Sequence, residues 1–306
     1  MIKNYERNTN MARSRRVKVE TGAFYHITSR ITGKQFLLHD SKVKNMMLSS
    51  LERSARFSGV KVGAFCIMDD HFHILLYVPS SPEEALSESE ILDRIEALSG
   101  KRKADVIHDR WERLNSIGEI QTLQAEKERW IRRMYDLSQF VKTFKEEFRR
   151  LYQKENDYSG RLWGDRFYST VIESGEYLTR CAAYIEMNPV RAGIVKEAKH
   201  YAWNSSGLAN QGNLFAKACR EWLMEFAGVA GGVDLSGDTP QKDSWLMKRW
   251  PQLTKGGFLG SYSFVSKAVS EYQRLLFSHS LKAREFACAL FASHGYRIAK
   301  KLKIVA

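Results

Sequence analysis

The chain has no apolar run long enough to cross a membrane, no hydrophobic stretch behind Met1-Ile-Lys-Asn-Tyr-Glu-Arg7 to act as a signal peptide, and no lipidation motif. These absences point to the cytoplasm. Cysteine is scarce: Cys66, Cys181, Cys219 and Cys288 are scattered without a Cys-x-x-Cys pair, so neither a zinc knuckle nor a disulfide framework is indicated. Acidic residues are short of balance, 35 against 48 lysines and arginines, leaving a formal charge of +13. Such an excess calls for a polyanionic partner, nucleic acid first. A membrane surface competes, but it favours a basic amphipathic helix or a polybasic cluster beside an anchor, and the anchor is missing. What remains is 306 residues, 43% hydrophobic and 27% charged, enough for a globular core and one large or two modest domains.

One stretch organises the rest, Phe65-Cys-Ile-Met-Asp-Asp-His-Phe-His-Ile-Leu-Leu-Tyr-Val-Pro79. Two apolar runs, 60–68 and 71–78, flank Asp69-Asp70 and read as antiparallel strands joined through a turn. Residues two apart on a strand share a face, so His71 and His73 present their imidazoles together while Phe72 points the other way. That spacing suits a metal ion, and it equally suits two histidines satisfied by packing and hydrogen bonds.

Residues 1–20 carry Lys3, Arg7, Arg13, Arg15, Arg16 and Lys18 and read as a basic arm. Ala23 to Arg30 is a strand by its β-branched and aromatic content. Ser41 to Phe57 is a helix on the spacing of Val43, Met46, Met47, Leu51 and Ala55, with Ser41 as cap and Gly59 as stop. A charged helical insertion covers about 83–135, and Leu137, Phe140, Val141, Phe144, Phe148 and Leu151 mark a core-facing helix after it. A fourth strand is expected over Arg166 to Ile172. Strand, helix, two strands, helix and strand make an α+β fold, a ferredoxin-like split β-α-β antiparallel sheet with helices over one face and the other face free for a ligand.

Gly175 to Asn188 reads as a helix, capped by Ser174 and ended by Pro189 and Gly193. Tyr177, Tyr184 and Asn188 share one shoulder of it, so a tyrosine and an amide lie on one edge. Each also has an ordinary structural explanation, a half-buried tyrosine and a helix-end asparagine.

Taken together, Gly22-Ala-Phe-Tyr-His-Ile-Thr-Ser-Arg30, Met68-Asp-Asp-His-Phe-His-Ile-Leu-Leu76, Gly160-Arg-Leu-Trp-Gly-Asp-Arg-Phe167 and Tyr184-Ile-Glu-Met-Asn-Pro-Val-Arg-Ala-Gly-Ile-Val195 resemble the REP-associated tyrosine transposases of the HUH endonuclease superfamily. The resemblance runs from about residue 12 to Ser206, interrupted by the insertion. It implies an HUH domain over 21–206, with Tyr184 as nucleophile and His71, His73 and Asn188 as ligands of a divalent cation, Mg²⁺ or Mn²⁺. It also implies cleavage and rejoining of single-stranded or hairpin DNA through a 5′-phosphotyrosine, by a monomer or homodimer. Tyr177 is the reserve nucleophile, and Tyr168 is expected to pack. Arg30, Arg161, Arg166 and Arg191 stand in or beside these motifs as phosphate contacts, with Trp163 and Trp203 as stacking platforms.

The chain departs from the family's pattern at Asp69-Asp70, where Pro-Asn is usual. Aspartates keep the turn. Their charge would favour a cation and oppose a phosphate, and Asp69 is a further candidate ligand. Two other readings stand beside the nuclease: a relative that binds nucleic acid without cutting it, and a phosphoesterase that activates water at the histidines. Beyond Ser206, residues 207–306 are expected to form a helical appendage that grips DNA or the core. A linker is expected over 228–239, helical periodicity over 246–276, and two short helices over 283–291 and 296–302.

Overall fold

The computed structural model describes residues 22–226, 257–261, 263–268, 287–290 and 297–300. The basic arm and the linker at 228–239 lie outside the described residues. The first strand, β1 (Ala23–Arg30), leads to α1 (Ser41–Ser58), β2 (Lys61–Ile67) and β3 (His71–Val78). The insertion is three helices, α2 (Glu88–Ser99), α3 (Lys101–Ser116) and α4 (Ile120–Ile131), before α5 (Leu137–Asn156) and β4 (Tyr168–Ile172). Then come α6 (Glu176–Glu186), α7 (Asn188–Arg191), α8 (Ser205–Asn210), α9 (Leu214–Phe226), β5 (Gly257–Gly260), β6 (Ala287–Leu290) and β7 (Arg297–Lys300).

The strands form one sheet in the order β2-β3-β1-β4-β5-β7-β6. It is α+β but mixed, because β4 and β5 run parallel while the other neighbours are antiparallel. The four strands expected, β2, β3, β1 and β4, pair antiparallel with one another, and β5 joins their edge in parallel. The two short helices expected near the end are corrected to β6 and β7. Segments of four residues carry no period long enough to separate strand from helix, and the pairing of β7 with β5 and of β6 with β7 decides the matter.

Helices cover both faces, contrary to the expectation of a free one. On one face, Tyr25, Ile27, Phe65, Phe72, Ile74 and Val171 meet Met47 and Leu51 of α1 and Phe140, Phe144 and Phe148 of α5. On the other, Phe24, Ala64, Cys66, Leu75 and Ile172 meet Leu178, Cys181, Ala182 and Ile185 of α6 and Leu223 of α9. The apolar stripe of α6 has to be buried somewhere, and this second sheet face is what it finds. The insertion packs on a smaller cluster of its own, built from Ile91, Ile95, Trp111 and Leu123 around Phe57 at the end of α1.

Local signals account for the helix bounds. Asp40, not Ser41, caps α1, its carboxylate accepting from the amides of Lys42 and Val43, and Gly59 stops it at φ 72°. The α6 helix starts after Gly175, at φ 74°, with no side-chain cap, so Ser174 is not the cap. It breaks at Met187, and Asn188 and Pro189 open α7. Residues 201–205 then run along the edge of β2: Ile67 N donates to Trp203 O (2.9 Å), and Tyr201 Oη donates to Ile67 O (2.7 Å). Among the described residues, no helix is long and apolar enough to cross a membrane.

Candidate functional site

Pairing of β1 with β3 sets the site's floor. Thr28 lies opposite His73 and Arg30 opposite His71, so His26, Thr28, Arg30, His71 and His73 share the sheet face toward α6. The rings of His71 and His73 lie 5.1 Å apart and nearly perpendicular, at 78°. His73 is buried, and burial first, then the electrostatic influence of neighbouring His71, His26, Arg191 and Arg30, hold its pKa well below the usual histidine value. It is therefore a neutral imidazole, the form that ligates a metal.

His26 was not singled out in the sequence, yet it belongs here. It is fully buried, and its Nε2 lies 2.9 Å from His73 Nδ1. The available signal was a polar alternation, His26, Thr28 and Arg30, inside an otherwise apolar strand.

Above this floor, α6 brings Tyr184. Its ring centre is 6.4 Å from those of both His26 and His73, edge-on to each, and the residue is 4% exposed. The Arg191 guanidinium lies 4.0 Å over the same ring. Asn188 Nδ2 donates to the carbonyls of Tyr184 (3.3 Å) and Ile185 (3.0 Å), so its two donors close the end of α6 and its oxygen is the ligand-competent atom. Tyr177 packs at the margin of the second core. Tyr168 is 46% exposed and does not pack as expected.

The two aspartates are neutralised locally. Burial alone would raise the Asp70 carboxyl, but its hydrogen bond to His71 Nδ1, the electrostatic influence of that ring and Arg30 (Nε to Oδ2, 3.5 Å) bring it below the ordinary value. Burial acts the same way on Asp69, and Lys44 Nζ (2.6 Å) and His39 Nδ1 (3.2 Å) outweigh it. Asp69 is thus engaged by the Lys44 ammonium and the His39 ring, which argues against its use as a ligand.

The remaining predicted contacts divide. Trp163 is core, edge-on to Phe72, with its indole N–H donating to Lys145 O (3.2 Å). Arg161 donates to the carbonyls of Trp163 (2.9 Å) and Gly164 (2.6 Å) and so braces its own loop. Trp203 is half-buried, donating to Asn45 Oδ1 (3.1 Å) beneath Lys44 Nζ, 4.6 Å from its ring. Arg166 is exposed and lines a cleft of about 540 Å³ with Lys145, Arg149 and Arg161. A neighbouring cleft of about 440 Å³ adds Lys142 along the same face of α5. Sequence reading missed Lys142, Lys145 and Arg149 because a charged helix face is ordinarily just solvated.

Glu88, His108 and Glu112, on α2 and α3, each bring a donor atom within 4.8 Å of the others and could hold a metal ion. Glu88 is also paired there with Lys127 (2.6 Å).

No protein-family model matches the sequence, and no curated protein matches it. Among solved structures, it is similar to one described as "Structure of the REP associates tyrosine transposase bound to a REP hairpin", at 14% identity and a TM-score of 0.41, over 67% of this chain and 90% of that one. A likeness this low adds no argument about the chemistry of this chain.

Proposed function

We propose that this chain is a tyrosine nuclease and strand transferase acting on single-stranded or hairpin DNA, with Tyr184 as nucleophile and His71, His73 and Asn188 as the holders of a divalent cation. The supporting observation is the approach of the Tyr184 ring to His73, 6.4 Å between centres, brought about by α6 lying on the histidine face of the sheet. The split β-α-β reading of β2, β3, β1 and β4 belongs to the same proposal.

The donor set fits a cation. His73 is neutral, His71 stands beside it on one strand face, and the Asn188 oxygen is not used by the helix end. Imidazole and amide donors suit Mn²⁺ better than Mg²⁺. When bound, such an ion withdraws charge from the non-bridging oxygens of a phosphate. Tyr184 Oη attacks phosphorus and forms the phosphotyrosine as the P–O3′ bond breaks. The phenol proton is lost, and the departing 3′ oxygen takes one up as a free hydroxyl. The phosphodiester energy is retained for rejoining. Arg191, over the Tyr184 ring, and Arg30, across the strand pair from His71, supply positive charge near the histidines. Tyr184 is nearly covered, so the cover over its ring must open as DNA enters.

Lys142, Lys145, Arg149 and Arg166, along the α5 clefts, support a path for the sugar-phosphate backbone. The burial of Tyr184 favours a second reading, a relative that holds folded DNA without cutting it. Incubating a labelled hairpin oligonucleotide with the protein and Mn²⁺ separates the readings. A covalent adduct that disappears in Tyr184→Phe supports the nuclease. Retention without cleavage supports the binder, and hydrolysis that persists in Tyr184→Phe points to activated water.

A further inference from the structure

Two contacts beneath the histidines decide which ring nitrogen each one offers. A neutral imidazole carries a single N–H, and the nitrogen that holds it cannot ligate a metal. His71 Nδ1 is hydrogen-bonded to Asp70 Oδ1, and an ionised carboxylate can only accept. In the neutral ring this contact places the His71 proton on Nδ1 and leaves Nε2 bare. Arg30, directly across the strand pair from His71, reaches Asp70 Oδ2 at 3.5 Å and steadies the acceptor.

His73 is held through a different partner. His26 faces Leu75 on β3, one step diagonal from the Thr28–His73 pair, and side chains in that diagonal relation on one sheet face are within reach of each other when they are rings. The two imidazoles lie in nearly parallel planes, 9° apart, with His26 Nε2 and His73 Nδ1 at 2.9 Å. One proton lies between these nitrogens. If His73 donates it, His73 Nε2 is bare like that of His71, and both rings present the same atom.

We infer that Asp70 and His26 are positioning residues that lock His71 and His73 as Nδ1–H tautomers with both Nε2 atoms presented for ligation. The inference rests on the metal-holding part of the proposed function, and it assigns His26 and Asp70 roles one layer behind the ligands. Orientation by a hydrogen bond to the non-ligating nitrogen is the usual way a protein fixes a histidine ligand.

Imidazole ¹⁵N chemical shifts and long-range ¹H–¹⁵N couplings in the metal-free full chain test the tautomers directly. Nδ1–H on His71 and His73, with His26 accepting at Nε2, is the expected result. A proton on His73 Nε2, or on His26 Nε2, overturns the assignment. Mn²⁺ affinity by electron paramagnetic resonance gives the second readout: His26→Leu and Asp70→Ala should weaken binding roughly tenfold or more. His26→Gln and Asp70→Asn keep an acceptor oxygen and should recover most of it. Wild-type affinity in both His26→Leu and Asp70→Ala refutes the positioning role. A His71→Ala, His73→Ala chain that binds Mn²⁺ as well as wild type would instead sink the metal centre, while the tautomers measured without metal still decide the positioning claim.

Discussion

The helix carrying Tyr184 is tied down by a buried ion pair, and breaking that pair is the most direct test of how α6 is held. Glu186, the last residue of α6, is 1% exposed at its side chain, accepts from Ser205 Oγ at 2.7 Å and is paired with Arg220 Nη1 of α9. Arg220 itself is 22% exposed and keeps some of its hydration. Replacing Arg220 by Met leaves a carboxylate in the interior with one hydroxyl donor. Losing one partner of a fully buried pair costs about 3 to 5 kcal/mol, and the hydration of Arg220 brings the expectation here to about 2 to 3 kcal/mol. In Arg220→Met, Glu186→Gln the uncompensated charge is gone while an acceptor for Ser205 remains, so the double variant should regain about 1 kcal/mol or more over Arg220→Met alone. Urea unfolding followed by circular dichroism, with the slope unchanged and the midpoint shifted, measures both. If Arg220→Met loses less than about 0.5 kcal/mol, the pair behaves as a solvated surface bridge and the clamp does not exist. Strict additivity in the double variant would show equally that the two groups do not sense each other.

Four further outcomes follow from the geometry. An added Cβ at Gly207 would meet Tyr201 O at 2.0 Å and Tyr201 C at 2.7 Å, both backbone, so Gly207→Ala should cost upward of about 3 kcal/mol; a thermal melt matching wild type would show that the turn can open. Lys142→Glu and Arg149→Glu should each weaken hairpin DNA binding and lower the salt slope by about one, and unchanged binding would remove the α5 clefts from the DNA path. Because the Asp69 carboxyl is held below its ordinary value, the stability it contributes is fully present above about pH 4 and is lost as pH falls through the lower folded-state value. The stability gap between wild type and Asp69→Asn should therefore shrink on acidification, and a constant gap would show that the carboxylate is not stabilised. Burial pushes the Cys219 thiol up to about 12 and raises those of Cys66 and Cys181 still more, so site-resolved alkylation of all three should stay slow at pH 8 until the chain is unfolded.

Much of the architecture was legible from local physics. Short apolar runs bounded by turn formers placed β3, as well as β2 to within a residue of each end, β-branched and aromatic content placed β1, and the His-x-His face follows from strand geometry alone. Helical spacing found α1, α5 and α6, while the finer choice of Asp40 over Ser41 as cap depended on which oxygen reached the free amides. Charge composition pointed to a polyanion but could not say which arginines stay available. Arg161 turned inward to its own loop, and Trp163 went into the core.

What the sequence determined by itself was the set of faces: which residues share one side of a strand or one shoulder of a helix, because those periods are properties of the backbone. Only the tertiary structure decided which faces meet. It laid α6 on the side of the sheet expected to be open, and it put His26 against His73 from a strand distant in sequence. It also paired Asp69 and Asp70 with Arg30, His39 and Lys44, drawn from three separate segments. Such contacts join residues with no common period, so no pattern along the chain announces them, and they form only when burial of apolar surface brings their elements together.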